Sequence, residues 1–590
     1  MIKMFKTFNK RDWLIILIII GLIALQVWLD LKLPDYMSKI TRLIQTNGST
    51  LSEIIKQGGF MLICALGSLL SAVIVGYCTS LLSARFSLNL RKRIFSKVSK
   101  FSMQEIKKFE TSSLITRTTN DVTQLEMFIA MGLQMLIKAP IMAVWAVSKI
   151  LNKSIEWSML TGAGVLILLT TVGIILLIVF PRFEKVQKLI DKVNDVTREN
   201  LTGIRVIRAF NAEKFEQNRF NKVNSDLTSM QMFNQKCFAI LQPIMNLVMH
   251  GLTLGIYIIG AVLIEKAGMV EKINLFSNMV VFTSYGMQVI AAFLMLAMIF
   301  MILPRAQVSA RRINEVLDSK LSITSGTFDG KNTKEEGTVE FKNVSFKYPD
   351  ASDEEEYLLK NISFKVNKGE TVAFIGSTGS GKSTLINLVP RFYDVTSGAV
   401  LIDGVNVKDY TEESLHNKIG YVPQKAVMFT GTVRSNVGYG YNGKKKITLQ
   451  KIKEAIKVAQ ATNFVEKMED TYEAHIARDG TNVSGGQKQR LSIARAIARN
   501  PEIYIFDDSF SALDYKTDSI LRKELKKYTK DATSMIVAQR IGTIISADKI
   551  IVLDKGECVG IGTHKELLKN CEIYKEIALS QLSKEELENA

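Results

Sequence analysis

Cysteine is scarce in this 590-residue chain. The five present, Cys64, Cys78, Cys237, Cys558 and Cys571, form no C-x-x-C pair and sit outside metal spacing of any histidine. That pattern excludes a disulfide framework and a cysteine metal site, and leaves reduced core or lipid-facing thiols. Acidic residues are also in deficit: 57 Asp and Glu against 75 Lys and Arg give a net charge of +18. In a soluble protein such an excess points to nucleic acid. Here Arg85, Arg91, Lys92, Arg93, Lys97 and Lys100 lie beside apolar runs, as on a cytoplasmic face near anionic lipid, so the partner is the bilayer and not nucleic acid. The first apolar stretch, from Trp13 to about Trp28, resembles a signal peptide only superficially, since it lacks a small-residue cleavage site and other spans follow. Lys3, Lys6, Lys10 and Arg11 then read as a basic interfacial helix leading into a retained span.

What is present divides the chain in two. The length exceeds what one core can serve. Residues 1–318 carry six apolar runs of membrane-spanning length, near 14–33, 59–82, 128–150, 158–180, 238–264 and 276–303. The outer connections are short, whereas the inner ones, 83–127 and 181–237, are long, basic and free of Pro or Gly clusters. They predict helices that continue past the bilayer and meet a cytoplasmic domain at turns around 111–117 and 208–216. Gln134, Lys138, Gln242, Asn246, His250 and Gln288 are candidates for a substrate path: costly in hydrocarbon, each is expected to face a cavity or a neighbouring helix. Residues 319–338, rich in Ser, Thr, Gly and charge, read as a linker. Residues 339–575 alternate short apolar runs with polar segments, as a soluble α/β domain does, and 576–590 form a tail.

The second domain carries the chemistry. Gly376-Ser377-Thr378-Gly379-Ser380-Gly381-Lys382-Ser383 fits G-x-x-x-x-G-K-[ST], between an apolar strand (371–375) and a helix start (384–389). Its glycines let backbone N–H groups converge on a phosphate. Lys382 reaches the β- and γ-phosphates, and Ser383 is placed to ligate Mg²⁺. Thr384 continues the loop into the helix. Ile503-Tyr504-Ile505-Phe506-Asp507-Asp508 is an apolar strand ending in Asp507, suited to the Mg²⁺ shell. Tyr348, at the end of an alternating strand (339–346), is placed to stack on an adenine ring. Ser484-Gly485-Gly486-Gln487 opens a helix near Gln487 and offers a helix N-terminus to an anion.

Together these motifs resemble the ATP-binding cassette (ABC) transporters over nearly the whole chain. Val483-Ser484-Gly485-Gly486-Gln487 looks like their signature, Gln424 like the Q-loop glutamine near Mg²⁺, Ser511-Ala512-Leu513-Asp514 like the D-loop, and Tyr348 like the A-loop aromatic. Arg117-Thr118-Thr119-Asn120-Asp121-Val122 and the run from Glu199 to Phe210 look like exporter inner loops. The resemblance implies an α-helical membrane domain of six spans fused to an α/β P-loop ATPase domain, in the plasma membrane, with the nucleotide domain cytoplasmic. It implies half a transporter that must pair with a second half, each ATP lying between one Walker A and the other chain's signature. It also implies an exporter of small amphipathic or lipophilic substrates.

Two family positions depart from the pattern. Asp508 stands where a catalytic Glu is usual, about 1.5 Å shorter in reach, and a misplacement of about 1 Å can cost about a hundredfold. Gln539 stands where His is usual; it hydrogen-bonds but does not titrate. Arg478 replaces a usual acidic residue before the signature. The pair of catalytic changes resembles the degenerate half of a heterodimeric exporter. The alternatives are a homodimer with slow sites and a nucleotide-gated regulatory subunit that does not pump.

Overall fold

The computed structural model describes residues 8–46, 49–151, 155–333, 335–351, 356–440 and 446–582. Lys3 and Lys6 of the expected interfacial helix, part of the outer connection at 152–154, and residues 583–590 of the expected tail lie outside them. The chain forms two compact units. One holds the described residues of Met1–Ser99 and Thr111–Ser319, the other Lys100–Glu110 and the described residues of Lys320–Ala590.

Six helical runs in the first unit are long and apolar enough to cross a membrane: Lys10–Gln45, Leu51–Val98, Thr111–Ile150, Ile155–Thr202, Glu213–Lys266 and Glu271–Leu317. At ~1.5 Å per residue they far exceed a hydrocarbon core of ~30 Å. The spans therefore continue as polar helices, as the absence of Pro and Gly clusters predicted. Two runs are interrupted. A π turn at Phe128–Gly132 precedes helix Leu133–Leu151, and Ile240 separates Glu213–Ala239 from Leu241–Lys266. Leu17, Leu62, Leu70 and Leu177 are exposed along the spans, as side chains facing lipid are.

Polar groups inside this unit find one another. Tyr285 donates to Asp35 Oδ1 (2.7 Å) and to the Leu31 carbonyl (3.1 Å), and Lys149 pairs with Asp35 at 2.9 Å. One helical turn earlier, Asp30 accepts from Ser68 and faces Lys138 at 3.6 Å, while Gln288 donates to the Asp30 carbonyl at 3.3 Å. Lys138 and Gln288 thus meet neighbouring helices, as the sequence predicted. Asp30, passed over inside an apolar run, is their common partner. Gln242 donates weakly to Asn246 (3.4 Å) on its own helix, His250 is exposed and Gln134 is half-buried. Towards the cytoplasmic ends, buried Asp121 accepts from Ser309 (2.9 Å) and pairs with Arg312 (3.3 Å). Arg117 donates to the Arg312 carbonyl and to Glu315 (2.9 Å).

The second unit is built on two sheets. A four-stranded antiparallel sheet joins Leu359–Val366, Val339–Phe346, Ser397–Ile402 and Val405–Asn406. A six-stranded sheet runs, in spatial order, Glu557–Gly562, Lys549–Asp554, Thr371–Gly376, Thr533–Val537, Ile503–Asp507 and Ile419–Val422, parallel but for its first strand. Two apolar cores flank it. One centres on Phe341, Phe364, Phe374 and Val389, the other on Ile456, Leu491, Ile497 and Phe506. Three adjacent parallel strands end at Gly376, Val537 and Asp507, so the phosphate loop, the residues before Gln539 and the Asp507-Asp508 pair emerge together. The carboxyl edge of an open parallel sheet is where ligands bind.

One expectation is sharpened and one corrected. The segment 319–338, read as the linker between the domains, is docked: Gly326 N–H and Phe328 N–H donate to the Tyr410 and Asp409 carbonyls, and Thr411 N–H to Phe328 O. Edge-on packing of Phe328 against Tyr410 (5.0 Å) holds it there. The inner-loop piece that packs with the nucleotide domain is Lys100–Glu110, whereas the predicted turn 111–117 belongs to the membrane unit. The reason is local. Ser102 caps helix Met103–Phe109 with Glu105 in a capping box, Phe101 stacks on Phe109, and Glu105 also accepts the Ser322 N–H at 2.9 Å.

Candidate nucleotide site

The phosphate loop starts where strand Thr371–Gly376 stops. A Cβ on Gly376 would lie 2.0 Å from the Leu553 carbonyl oxygen of the neighbouring strand, so only glycine lets the chain turn there. Gly381 takes φ +94° immediately before helix Lys382–Asn387, a left-handed value that penalises other residues. The helix begins two residues before the predicted 384, at Lys382. Ser377, Thr378 and Gly379 are exposed, while Ser380, Lys382 and Thr384 are buried.

Lys382 folds back under the loop. Its ammonium donates to the carbonyls of Gly376 (2.8 Å) and Ser377 (2.7 Å) and to Ser380 Oγ (3.3 Å). Burial pushes its pKa down, against the attraction of Asp508 and Asp507. Ser383 Oγ donates to Asp507 Oδ1 at 2.7 Å, joining the loop to the end of strand Ile503–Asp507. Burial raises the Asp507 pKa, opposed by the Ser383 hydrogen bond, with neighbouring Asp508 adding to the rise. A hydroxyl and a carboxylate in contact form a hard oxygen donor set.

Asp508 takes φ +45° and its N–H donates to the Val537 carbonyl at 3.0 Å. Its side chain turns to two amides: Gln539 Nε2 approaches Oδ2 at 3.0 Å and Gln424 Nε2 at 3.3 Å. Burial raises the Asp508 pKa, with Gln424 and Ser511 opposing. The two residues that depart from the family pattern therefore touch each other, a pairing that sequence spacing did not reveal. Gln424, which the sequence groups with Ser383 and Asp507 around Mg²⁺, here meets Asp508. The Gln539 carbonyl accepts from Gln581 at 2.8 Å.

Tyr348 is half-buried. Its hydroxyl lies 2.9 Å from Thr384 Oγ1, which ties the expected base-stacking ring to the helix after the phosphate loop. The signature opens helix Gly485–Arg499, which starts two residues before the predicted Gln487. Ser484 is its N-cap, with the Ser484 N–H donating to Gln487 Oε1 at 2.9 Å. Ser484 and Gly485 are exposed at that N-terminus, while Gly486 and Gln487 are half-buried. A Cβ on Gly486 would lie 3.1 Å from the Ala512 carbonyl, so the signature packs on the Ser511–Asp514 turn. Asp514 caps helix Tyr515–Tyr528 by accepting the Thr517 N–H (2.9 Å), which holds its pKa low. Arg478 is fully out in solvent beside Asp479.

Comparison with known proteins agrees with this layout. Residues 16–320 match the family model of the ABC transporter transmembrane region, and residues 359–511 match the ABC transporter model. An uncharacterized ABC transporter ATP-binding protein of Mycobacterium tuberculosis is 38% identical over 526 residues, 89% of this chain and 87% of its own. A Bacillus subtilis protein provisionally named a multidrug export ATP-binding/permease protein is 33% identical, over 83% of this chain and 82% of its own. The structure of a bacterial Atm1-family ABC exporter with ATP bound superposes with a TM-score of 0.82 at 23% identity, covering 98% of this chain and 100% of that one. On the strength of a membrane region and an ATPase region matched in one polypeptide, the chain belongs to the ABC transporter family, as a multi-pass membrane protein with its ATP-binding domain in the cytoplasm.

Proposed function

We propose that this chain is the catalytically weak half of a heterodimeric ABC exporter. It binds ATP at its own Walker A and completes, with its signature, the competent site of a different partner chain. The observation that carries this reading is the Asp508 carboxylate held by the Gln424 and Gln539 amides. Export of a small amphipathic or lipophilic substrate is supported by the name of the Bacillus subtilis relative and by the exporter fold. Residues 1–318 form the membrane domain, 319–338 the connection, 339–575 the ATPase domain and 576–590 the tail.

The residues fit ATP with Mg²⁺. Ser383 and Asp507 supply oxygen donors that already meet at 2.7 Å, and Gln424 lies one residue-pair away on Asp508. Bound Mg-ATP supplies the phosphoanhydride that water cleaves. The chain's own residues bind and orient. The loop from Gly376 to Thr384 cradles phosphate, with Lys382 exchanging its carbonyl contacts for phosphate oxygens. Tyr348 takes the base. Asp508 is the general base, and its duty is to accept the proton of the attacking water. Its carboxylate is about 1.5 Å short and is already engaged by two amide donors, and losses of about a hundredfold follow from displacements of that size. Gln539 adds no positive charge beside the γ-phosphate. On the partner's ATP, Ser484, Gly485, Gly486 and Gln487 present a helix N-terminus, with Asp514 beside it.

Restoring Asp508→Glu and Gln539→His together in the purified membrane complex should raise steady-state ATPase activity at least tenfold, as about 1.4 kcal/mol of transition-state stabilisation would. Unchanged turnover in the double variant contradicts the assignment of these two residues as the block.

A further inference from the structure

The helix Met103–Phe109 takes no part in the nucleotide site as described, yet it borders it within the same compact unit. Ser102 and Gln104 contribute one side of a cavity of about 380 Å³ whose lining also includes Tyr348 and Tyr393. From this helix Lys107 places its ammonium 5.5 Å from the centre of the Tyr348 ring. The same ammonium lies 2.5 Å from Asp350 Oδ2, two residues beyond that tyrosine. One cation therefore grips both the ring and the turn that carries it. The edge-on neighbours of Tyr348 are Tyr393 at 5.2 Å and Phe346 at 5.0 Å, and its hydroxyl is anchored on Thr384. A continuous chain of contacts thus runs from an inner loop, through the aromatic ring, to the helix that follows the phosphate loop.

We propose that Lys107 is a positioning residue for the nucleotide base: with Asp350 it holds the Tyr348 ring in the orientation that stacks on adenine. This rests on the reading of Tyr348 as the base-stacking residue. The Lys107–Asp350 pair is more than half exposed on both sides, so neither the ion pair nor the cation–π contact is strong alone. Their value lies in fixing one rotamer of a ring that otherwise must be ordered on binding. The phosphates are gripped elsewhere, by Lys382 and the glycine loop, so loss of Lys107 should affect the base and spare the phosphates.

The test measures binding of ATP and of inorganic tripolyphosphate to the full-length chain in lipid, for Lys107→Met, Lys107→Arg, Asp350→Asn and Tyr348→Ala. Lys107→Met and Asp350→Asn are expected to weaken ATP binding about three- to tenfold while leaving tripolyphosphate within about twofold, and Lys107→Arg to restore ATP binding. ATP binding unchanged in Lys107→Met while Tyr348→Ala weakens it overturns the proposal. So does a parallel loss of ATP and tripolyphosphate, which marks a merely structural role. ATP binding unaffected by Tyr348→Ala overturns the reading of the tyrosine itself and the proposal with it.

Discussion

On the proposed reading, ATP binding turns on Lys382. Its buried ammonium has three acceptors inside its own loop, which that reading has it exchange for phosphate oxygens, and the charge is held against the cost of burial by Asp508 and Asp507. Lys382→Ala removes charge-assisted bonds worth about 1.5–3 kcal/mol, so ATP affinity should fall roughly ten- to hundredfold, read by titration with a fluorescent ATP analogue. Undiminished affinity contradicts the loop's role. The phosphate loop was legible in the sequence because its geometry needs glycine at fixed places, and Gly376 against Leu553 shows why. The Asp508–Gln539 contact was not legible. Thirty-one positions separate the two, and only the adjacency of the strands Ile503–Asp507 and Thr533–Val537 unites them. Asp30 escaped for a different reason. One acid does not interrupt an apolar run, and its partner Lys138 lies on another span.

Helices and strands were read more securely than their ends or their contacts. The six spans follow from apolar length alone, and the buried strand Ile503–Asp507 from its uninterrupted apolar run. The docking of the linker was not legible because Ser, Gly and charge mark a surface segment without saying whether it is docked. Phe328, the residue that docks it, is a single aromatic among polar neighbours. The turn preceding strand Val405–Asn406, helix Glu412–Lys418 and the approach to strand Ile503–Asp507 are tied by one cation. Lys418 meets fully buried Asp403 at 2.9 Å, an ion contact whose geometry falls short of an aligned hydrogen bond, and Glu502 at 2.7 Å. Lys418→Met leaves the Asp403 carboxylate buried without its cation and with only the Thr338 N–H (3.0 Å) donating to it, at a cost of up to about 3–5 kcal/mol. A clear drop in the thermal midpoint of the nucleotide domain is expected, followed in the full-length chain by a probe within that domain. An unshifted midpoint refutes the tie.

The whole molecule is half of a machine. One chain carries a single phosphate-loop motif, a single signature-like motif, and Asp508 where the family usually has Glu. The signature-like segment is folded and capped, with Ser484 and Gly485 exposed at a helix N-terminus. The hydrolytic end of the same chain carries Asp508 under two amides. On the proposed reading, the chain keeps the half of the site it lends and has weakened the half it owns, so it serves a partner. That claim is tested most directly by steady-state ATPase activity of the chain purified alone in lipid, with Lys382→Ala as control and bound ATP measured in parallel. The account predicts ATP bound and turnover no higher than in the Lys382→Ala control. Turnover abolished by Lys382→Ala contradicts it, because the chain then hydrolyses ATP without a catalytic partner.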